Sequence, residues 1–143
     1  MWSTQIQQMY RAWAGKRGMQ VAEYPSGDAT GSILTISGFG VHGRLIQEVG
    51  LHVLEPAENE EAAPRLIARV RVAPAPLGDL PAATAAKVLG GALSKVPASN
   101  TVVRRYRGGL SPLVRDAKQG WRSGKFEAIL GGDFDLIGAV VAR

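Results

Sequence analysis

The chain has 143 residues and a net charge of +5, with 45% hydrophobic and 20% charged residues. These values are typical of a single globular domain with an ordinary hydrophobic core. The absence of cysteine excludes disulfide bonds, thiol catalysis and thiolate metal sites. The longest apolar run, Leu136 to Ala142, is far shorter than the roughly 20 residues of a membrane helix. The start also lacks the pattern of a secretory signal, so we expect a cytoplasmic protein.

Hydrophobic periodicity predicts the elements of the first half of the chain. Trp2–Gly18 carries apolar residues at helical spacing, and Ser3 or Thr4 can cap this helix. Arg65–Val72 alternates apolar and arginine side chains, which predicts a half-exposed strand antiparallel to a strand over Thr30–Ser37. The other predicted elements are strands over Met19–Pro25 and Leu51–Leu54, a turn at Ser26-Gly27-Asp28, a helix over Val41–Val49 and an acidic loop over Glu55–Pro64.

The second half begins with a proline-rich linker, Ala73–Pro81, and an alanine-rich helix over Ala82–Lys95. The remaining predictions are a strand over Val102–Tyr106, a loop over Gly108–Pro112, and helices over Gly124–Leu130 and Asp133–Val141 separated by Gly131-Gly132. This order predicts an α+β fold with helices packed on an antiparallel sheet. We expect one domain made of a first block (1–72), a linker and helix (73–101) and a C-terminal block (102–143).

Charge is distributed unevenly along the chain. Thr101–Lys125 contains seven basic residues and one acidic residue, Asp116, and the aromatic residues Tyr106 and Trp121 lie among them. Arginine binds phosphate and aromatic rings stack on unpaired bases, so this basic segment favours RNA binding. The alternative is a solvated basic face with Trp121 as a core anchor. The residues predicted to contact RNA are Arg104, Arg105, Tyr106, Arg107, Arg115, Lys118, Trp121, Arg122 and Lys125.

The sequence does not predict a catalytic or metal site. His42 and His52 are far apart and have no carboxylate at ligand spacing, so structural roles explain them better than zinc binding. The Gly-x-Gly-x-x-Gly pattern over Gly38–Gly43 formally fits a dinucleotide-binding loop, but the helix that follows is too short for a βαβ unit. Glycines that shape a tight turn explain it better. Asp133 and Asp135 lie near a predicted helix start, where helix capping explains them better than acid–base catalysis.

Two stretches, in the same order, resemble bacterial class I peptide chain release factors, which terminate translation at stop codons. The first stretch, Trp2–Leu54, contains Met9-Tyr10, Trp13-Ala14, Arg17-Gly18-Met19, Leu34–Gly38 and Glu48–His52. The second, Val103–Val140, contains Arg104-x-Tyr106, Val114–Asp116 and Leu130–Ile137. The resemblance implies that both stretches form one α+β codon-facing unit, with the catalytic domain of the family inserted between them.

The chain departs from this family in the codon-reading element and in the catalytic domain. The catalytic domain of the family carries a Gly-Gly-Gln sequence, and here every Gly-Gly pair precedes another residue: Ala92, Leu110 or Asp133. The segment between the two stretches is also too short for that domain, and the long N-terminal helical domain of the family is not expected. After His52 the family continues through a basic stretch into a codon-reading element, whereas here the acidic tract Glu55–Glu61 follows.

These expectations describe a non-catalytic release factor-like protein that binds the ribosome or structured RNA, in translation termination, ribosome rescue or translational control. It would need no cofactor or metal. The alternative is a protein-interaction module that recruits a basic partner, or a separate catalytic subunit, through four glutamates: Glu55, Glu58, Glu60 and Glu61. A small-molecule enzyme would rest on the Gly38–Gly43 pattern alone and is the least supported of the three hypotheses.

Overall fold

In a computed structural model of the protein, the described residues are 1–26, 32–60, 62–75 and 81–135. The helices are α1 (Trp2–Lys16), α2 (Val41–Leu45), α3 (Ala82–Ser94) and α4 (Phe126–Ala128), which continues in helical turns over Ile129–Asp133. The strands are β1 (Gln20–Pro25), β2 (Ser32–Ser37), β3 (Gly50–Leu54), β4 (Leu66–Val70), β5 (Val102–Arg107), β6 (Leu113–Asp116) and β7 (Arg122–Ser123). Short 3-10 turns lie over Ile46–Glu48 and Glu58–Glu60. None of the helices in these ranges has the length and apolar character needed to cross a membrane.

The strands form two sheets. β1 and β2 pair as an antiparallel hairpin in which Gln20 lies opposite Ser37. The other five strands form one sheet in the order β4-β3-β5-β6-β7, with β3 and β5 parallel and every other pair antiparallel. Strands from both halves of the chain therefore share a sheet, and the predicted α+β class with an antiparallel sheet is confirmed, with one parallel pair within it.

Helix α1 supplies one wall of the core. Its buried residues follow the helical spacing read from the sequence and are Trp2, Ile6, Met9, Tyr10, Trp13 and Ala14. Met1 occupies the N-cap position without a side-chain cap bond. Ser3 and Thr4 already lie within the helix, so the prediction that either of them caps it is wrong.

Two other local predictions need correction, and two strands were missed. The strand over Arg65–Val72 pairs as β4 with β3, not with β2. The helix predicted over Val41–Val49 ends at Leu45 and continues as a 3-10 turn. β6 and β7 were not expected. The predicted break between the C-terminal helices at Gly131-Gly132 is confirmed, because Gly132 has the non-helical angles φ 107° and ψ 5° and forms a kink between the helical turns. Parts of the predicted turn at 26–28, of the linker 73–81 and of the helix 133–141 lie outside the described residues.

Alternation along the strands gives the five-stranded sheet two chemically different faces. The inner face, which packs on α1, carries His52, Ala68, Arg104, Tyr106, Val114 and Asp116, all of them buried. The outer face carries the residues between them, including Arg105, Arg115 and Arg122.

The C-terminal helical turns close the core from the side of α1. Phe134 is fully buried, with its ring centroid 5.6 Å from that of Tyr10 and 5.9 Å from that of Trp13. The indole Nε1 of Trp13 donates to Asp135 Oδ2 at 2.9 Å. Lys16 Nζ donates to Asp133 Oδ1 at 2.7 Å. The two aspartates therefore bind α1 directly, which corrects the helix-capping role predicted for them.

A glycine is required where these turns meet α1. Gly132 has φ 107°, and a Cβ at this position would lie 2.7 Å from the backbone nitrogen of Trp13. Replacing Gly132 by alanine should therefore lower the free energy of unfolding by about 2–4 kcal/mol, through strain and a backbone clash. The neighbouring Gly131 has open space around its Cβ position, so Gly131→Ala is the matched control and should change stability little. Equal urea unfolding midpoints for the two variants would contradict this packing.

Candidate nucleic-acid interface

Arg104 lies at the centre of the inner face and is fully buried. Its guanidinium donates to Glu48 Oε1 and Oε2 at 2.9 and 2.8 Å. Nε and Nη2 both donate to Asp116 Oδ2, at 3.0 and 2.8 Å. Both carboxylates are also buried. One buried cation therefore lies between two buried anions that come from separate segments of the chain.

The hydroxyl of Tyr106 links Arg104 to His52. Arg104 Nη1 lies 2.9 Å from the Tyr106 hydroxyl oxygen, which lies 2.8 Å from His52 Nδ1. His52 Nε2 lies 2.9 Å from the backbone carbonyl oxygen of Glu48, which can only accept. Nε2 is therefore protonated. Because the pKa of His52 is also lowered, the imidazole is neutral and its Nδ1 accepts from the Tyr106 hydroxyl. We call Glu48, His52, Arg104, Tyr106 and Asp116 the buried cluster.

Burial lowers the pKa of His52 to about 4, although the charge of Glu48 opposes the shift. Burial alone would raise the pKa of Glu48, but the Arg104 guanidinium outweighs it and holds that pKa below its ordinary value. The cluster therefore requires a neutral imidazole beside an ionised carboxylate.

Three of the residues predicted to contact RNA belong to the core. Arg104 and Tyr106 are fully buried and Trp121 is 3% exposed. The guanidinium carbon of Arg104 lies 5.3 Å from the ring centroid of Trp121, which places the indole against the buried cluster. In this fold Arg104 cannot reach a phosphate, and neither ring can stack on a base. The structure contradicts RNA contact by these three residues. Arg104 and Tyr106 point inward from β5, where every second side chain does so, and Trp121 lies just before β7 with its side chain in the core.

The remaining arginines of the strands form a row on the outer face. Arg105 in β5 lies opposite Arg115 in β6, and Arg115 lies opposite Arg122 in β7. Directly opposed residues on antiparallel strands have Cα atoms about 4.5–5.5 Å apart. Arg115 and Arg122 are exposed and Arg105 is half-buried. We call these three residues the arginine row.

The other predicted basic residues lie around this row. Arg107 is on the same face of β5, and its Nε donates to the carbonyl oxygen of Ser111 at 3.1 Å. Lys118, in the turn after β6, donates to the carbonyl oxygen of Val49 at 2.8 Å. Lys125 is exposed just after β7. The structure therefore brings Arg107 close to the arginine row and leaves the two lysines in the segments that flank β6 and β7.

Two glutamates of the acidic segment, Glu55–Glu61, lie against these arginines. Arg115 Nη2 lies 2.8 Å from Glu55 Oε1, and Arg107 Nη2 lies 3.9 Å from Glu58 Oε1. Glu60 is exposed. Glu61 lies outside the described residues. The sequence placed the acidic segment and the basic residues at two separate sites, whereas the structure puts them against each other.

The two histidines and the Gly38–Gly43 pattern have structural positions in the fold. His52 belongs to the buried cluster and His42 is exposed on α2. Gly40, with φ 72°, precedes the five-residue α2 and so shapes the turn between β2 and that helix. Within the part of the chain that the structure describes, no three histidine or acidic side chains are grouped so that they could hold a metal ion.

Comparison with solved structures supports a release factor-like fold. RF2 of Thermus thermophilus matches with a TM-score of 0.58 and 18% sequence identity. The match covers 99% of this chain and 62% of that one, so the present chain spans less than two thirds of the length of RF2. No protein-family model matches the chain. A search of curated proteins also finds no relative.

The buried cluster makes a clear prediction for stability. Arg104→Ala should lower the free energy of unfolding by about 3–5 kcal/mol, because it leaves the buried Asp116 without a cation and leaves Glu48 with only Arg44, whose Nη1 lies 3.5 Å from Glu48 Oε2. Arg105→Ala, one residue away on the outer face, should cost less than about 1 kcal/mol. Urea unfolding of both variants is the measurement. Similar losses for the two would show that the guanidinium of Arg104 is not the buried partner of Glu48 and Asp116.

The cluster should also make the fold sensitive to acid. The pKa of His52 is about 4 in the fold against an ordinary 6.5. Between pH 6.5 and pH 4, His52 therefore binds a proton in the unfolded chain but not in the folded chain. The free energy of unfolding should fall by about 3 kcal/mol as the pH drops across this range. His52→Gln should flatten this part of the profile, and the exposed His42→Gln should not. A profile that His52→Gln leaves unchanged would contradict the assignment.

Proposed function

We propose that the protein is a non-catalytic release factor-like factor that binds RNA, as part of the ribosome or as a structured RNA, through the arginine row. The row is the observation that carries the proposal, because it places three arginines opposite one another on adjacent strands, two of them exposed and one half-buried. Guanidinium groups match the geometry of phosphate oxygens. Arg107 adds a further positive charge on the same face of β5.

The composition of this surface favours contact with the RNA backbone over stacking on bases. Tyr106 and Trp121, the aromatic residues within the basic segment, are both buried on the inner face. Without a stacking ring, recognition rests on phosphate charge and on the shape of the RNA. We therefore expect a preference for structured or double-helical RNA, little dependence on base sequence, and affinity that falls steeply with salt.

The proposed role in translation has two supports. The fold is similar to that of RF2 of Thermus thermophilus. The sequence also resembles bacterial class I release factors in two stretches that contribute to one sheet. The chain has no Gly-Gly-Gln sequence, so we propose that it does not hydrolyse peptidyl-tRNA. Termination, ribosome rescue and translational control all fit such a factor. Co-sedimentation with ribosomes at low salt, without release of peptide, is the expected result.

The alternative function, capture of a basic protein partner by the acidic segment, receives less support. Glu55 and Glu58 already pair with arginines of the same chain. These internal pairs reduce the negative charge that the segment can offer to a partner, whereas the row keeps an excess of positive charge. The geometry therefore favours a polyanion over a basic protein.

Removal of charge from the row tests the proposal. Arg115→Gln with Arg122→Gln should weaken binding of a short labelled RNA duplex by about tenfold or more at about 50 mM salt. It should also reduce the slope of log K against log salt concentration by about one to two, because each phosphate contact contributes about 0.9 to that slope. Fluorescence anisotropy across a salt series measures both quantities.

A matched control separates the row from net charge alone. Lys87 and Lys95 are exposed, on α3 and at its end, and Lys87→Gln with Lys95→Gln removes the same two charges. This variant should bind nearly as well as the wild type. If both double variants lose affinity equally, or if the wild type does not bind RNA or ribosomes at all, the arginine row is not an RNA site.

A further inference from the structure

The carboxylate of Glu55 contacts Arg115 of the arginine row. Its Oε1 lies 2.8 Å from Arg115 Nη2, and the Glu55 side chain is only 18% exposed. The backbone nitrogen of Glu55 also donates to the carbonyl oxygen of Tyr106 at 2.8 Å, which holds the start of the acidic segment beside β5. The contact is therefore set by the path of the main chain as well as by charge.

Electrostatics explains why the row accepts this carboxylate. Like charges directly opposed on neighbouring strands are destabilising, and Arg115 has an arginine opposite it on both sides. An anion on Arg115 relieves repulsion along the whole row. Glu58 supplies a second negative charge near Arg107, at 3.9 Å. The acidic segment thus places two carboxylates among four guanidinium groups.

We propose that the acidic segment is an internal competitor for the RNA site, with its carboxylates in the positions that RNA phosphates take in the complex. This inference rests on the function proposed above and adds its regulation. Exposed ion pairs are individually weak and are screened by salt. An RNA that presents several phosphates at once can displace them, whereas an isolated anion competes poorly. The segment would thereby raise the RNA concentration needed for binding. It would also favour RNAs whose phosphates are closely and regularly spaced.

Removal of the two paired carboxylates tests this competition. Glu55→Gln with Glu58→Gln keeps the shape of both side chains and should strengthen binding of a short labelled RNA duplex by about three- to tenfold at about 50 mM salt. The gain should shrink as salt rises, since salt also screens the internal pairs. Glu60→Gln with Glu127→Gln removes two exposed charges that make no ion pair among the described residues, and it should change affinity less than twofold.

The outcomes distinguish this inference from the proposed function. If the wild type binds the duplex through the row and Glu55→Gln with Glu58→Gln binds no better than the control, the competition is excluded and the RNA site stands. If Glu55→Gln with Glu58→Gln and the control Glu60→Gln with Glu127→Gln gain affinity equally, net charge alone explains the gain, and the competition is again excluded. If neither the wild type nor any variant binds, the proposed function fails. Urea unfolding midpoints confirm that each variant is folded.

Discussion

The structure depends on how a fully buried arginine is neutralised. Arg104 has two buried carboxylates, Glu48 from the turn before β3 and Asp116 from the end of β6. A buried charge is tolerated only when it is paired and hydrogen-bonded. Among the described residues Asp116 pairs with no cation other than Arg104, and Glu48 pairs otherwise only with Arg44, at 3.5 Å. Burial of the two carboxylates therefore depends on β5 placing Arg104 between them. This requirement couples the first block of the chain to the C-terminal block more specifically than apolar packing does, because a shift in register between the strands would leave a buried charge unpaired.

The same requirement creates the exposed arginine row. In β5, Arg104 and Tyr106 point to the core, so Arg105 and Arg107 must point outward. In β6, Asp116 must face Arg104, which places Arg115 opposite Arg105. The alternation of the strands thus divides the basic segment into residues that point into the core and residues that lie on the outer face. The chemistry of the outer face follows from the register that the buried cluster imposes.

Much of the local structure could be predicted from the sequence, and the failures have physical causes. The apolar stripe of α1 is long enough to show its period, and Gly50–Leu54 and Val102–Arg107 are apolar or alternating. β6 and β7 have four and two residues, too few to show a period. The strand with which β4 pairs is decided by tertiary packing, which the local sequence pattern does not encode. One feature of the sequence does indicate the inward position of Arg104, because Asp116 is the single acidic residue in the basic segment. The two residues can be matched only when β6 and its register with β5 are known.

The sheet topology explains how such a scaffold can exist with or without a large domain between its two blocks. Val70 at the end of β4 lies opposite Gly50, and Val102 at the start of β5 lies beside Leu51. Both ends of the connection therefore meet at the beginning of β3, about 10 Å apart, since they are separated by two strand spacings. A connection with such close ends can vary greatly in length at little entropic cost. Here it contains α3. In the release factors that the sequence resembles, it carries the catalytic domain. The sheet, its buried cluster and its arginine row therefore place little constraint on the length of this connection.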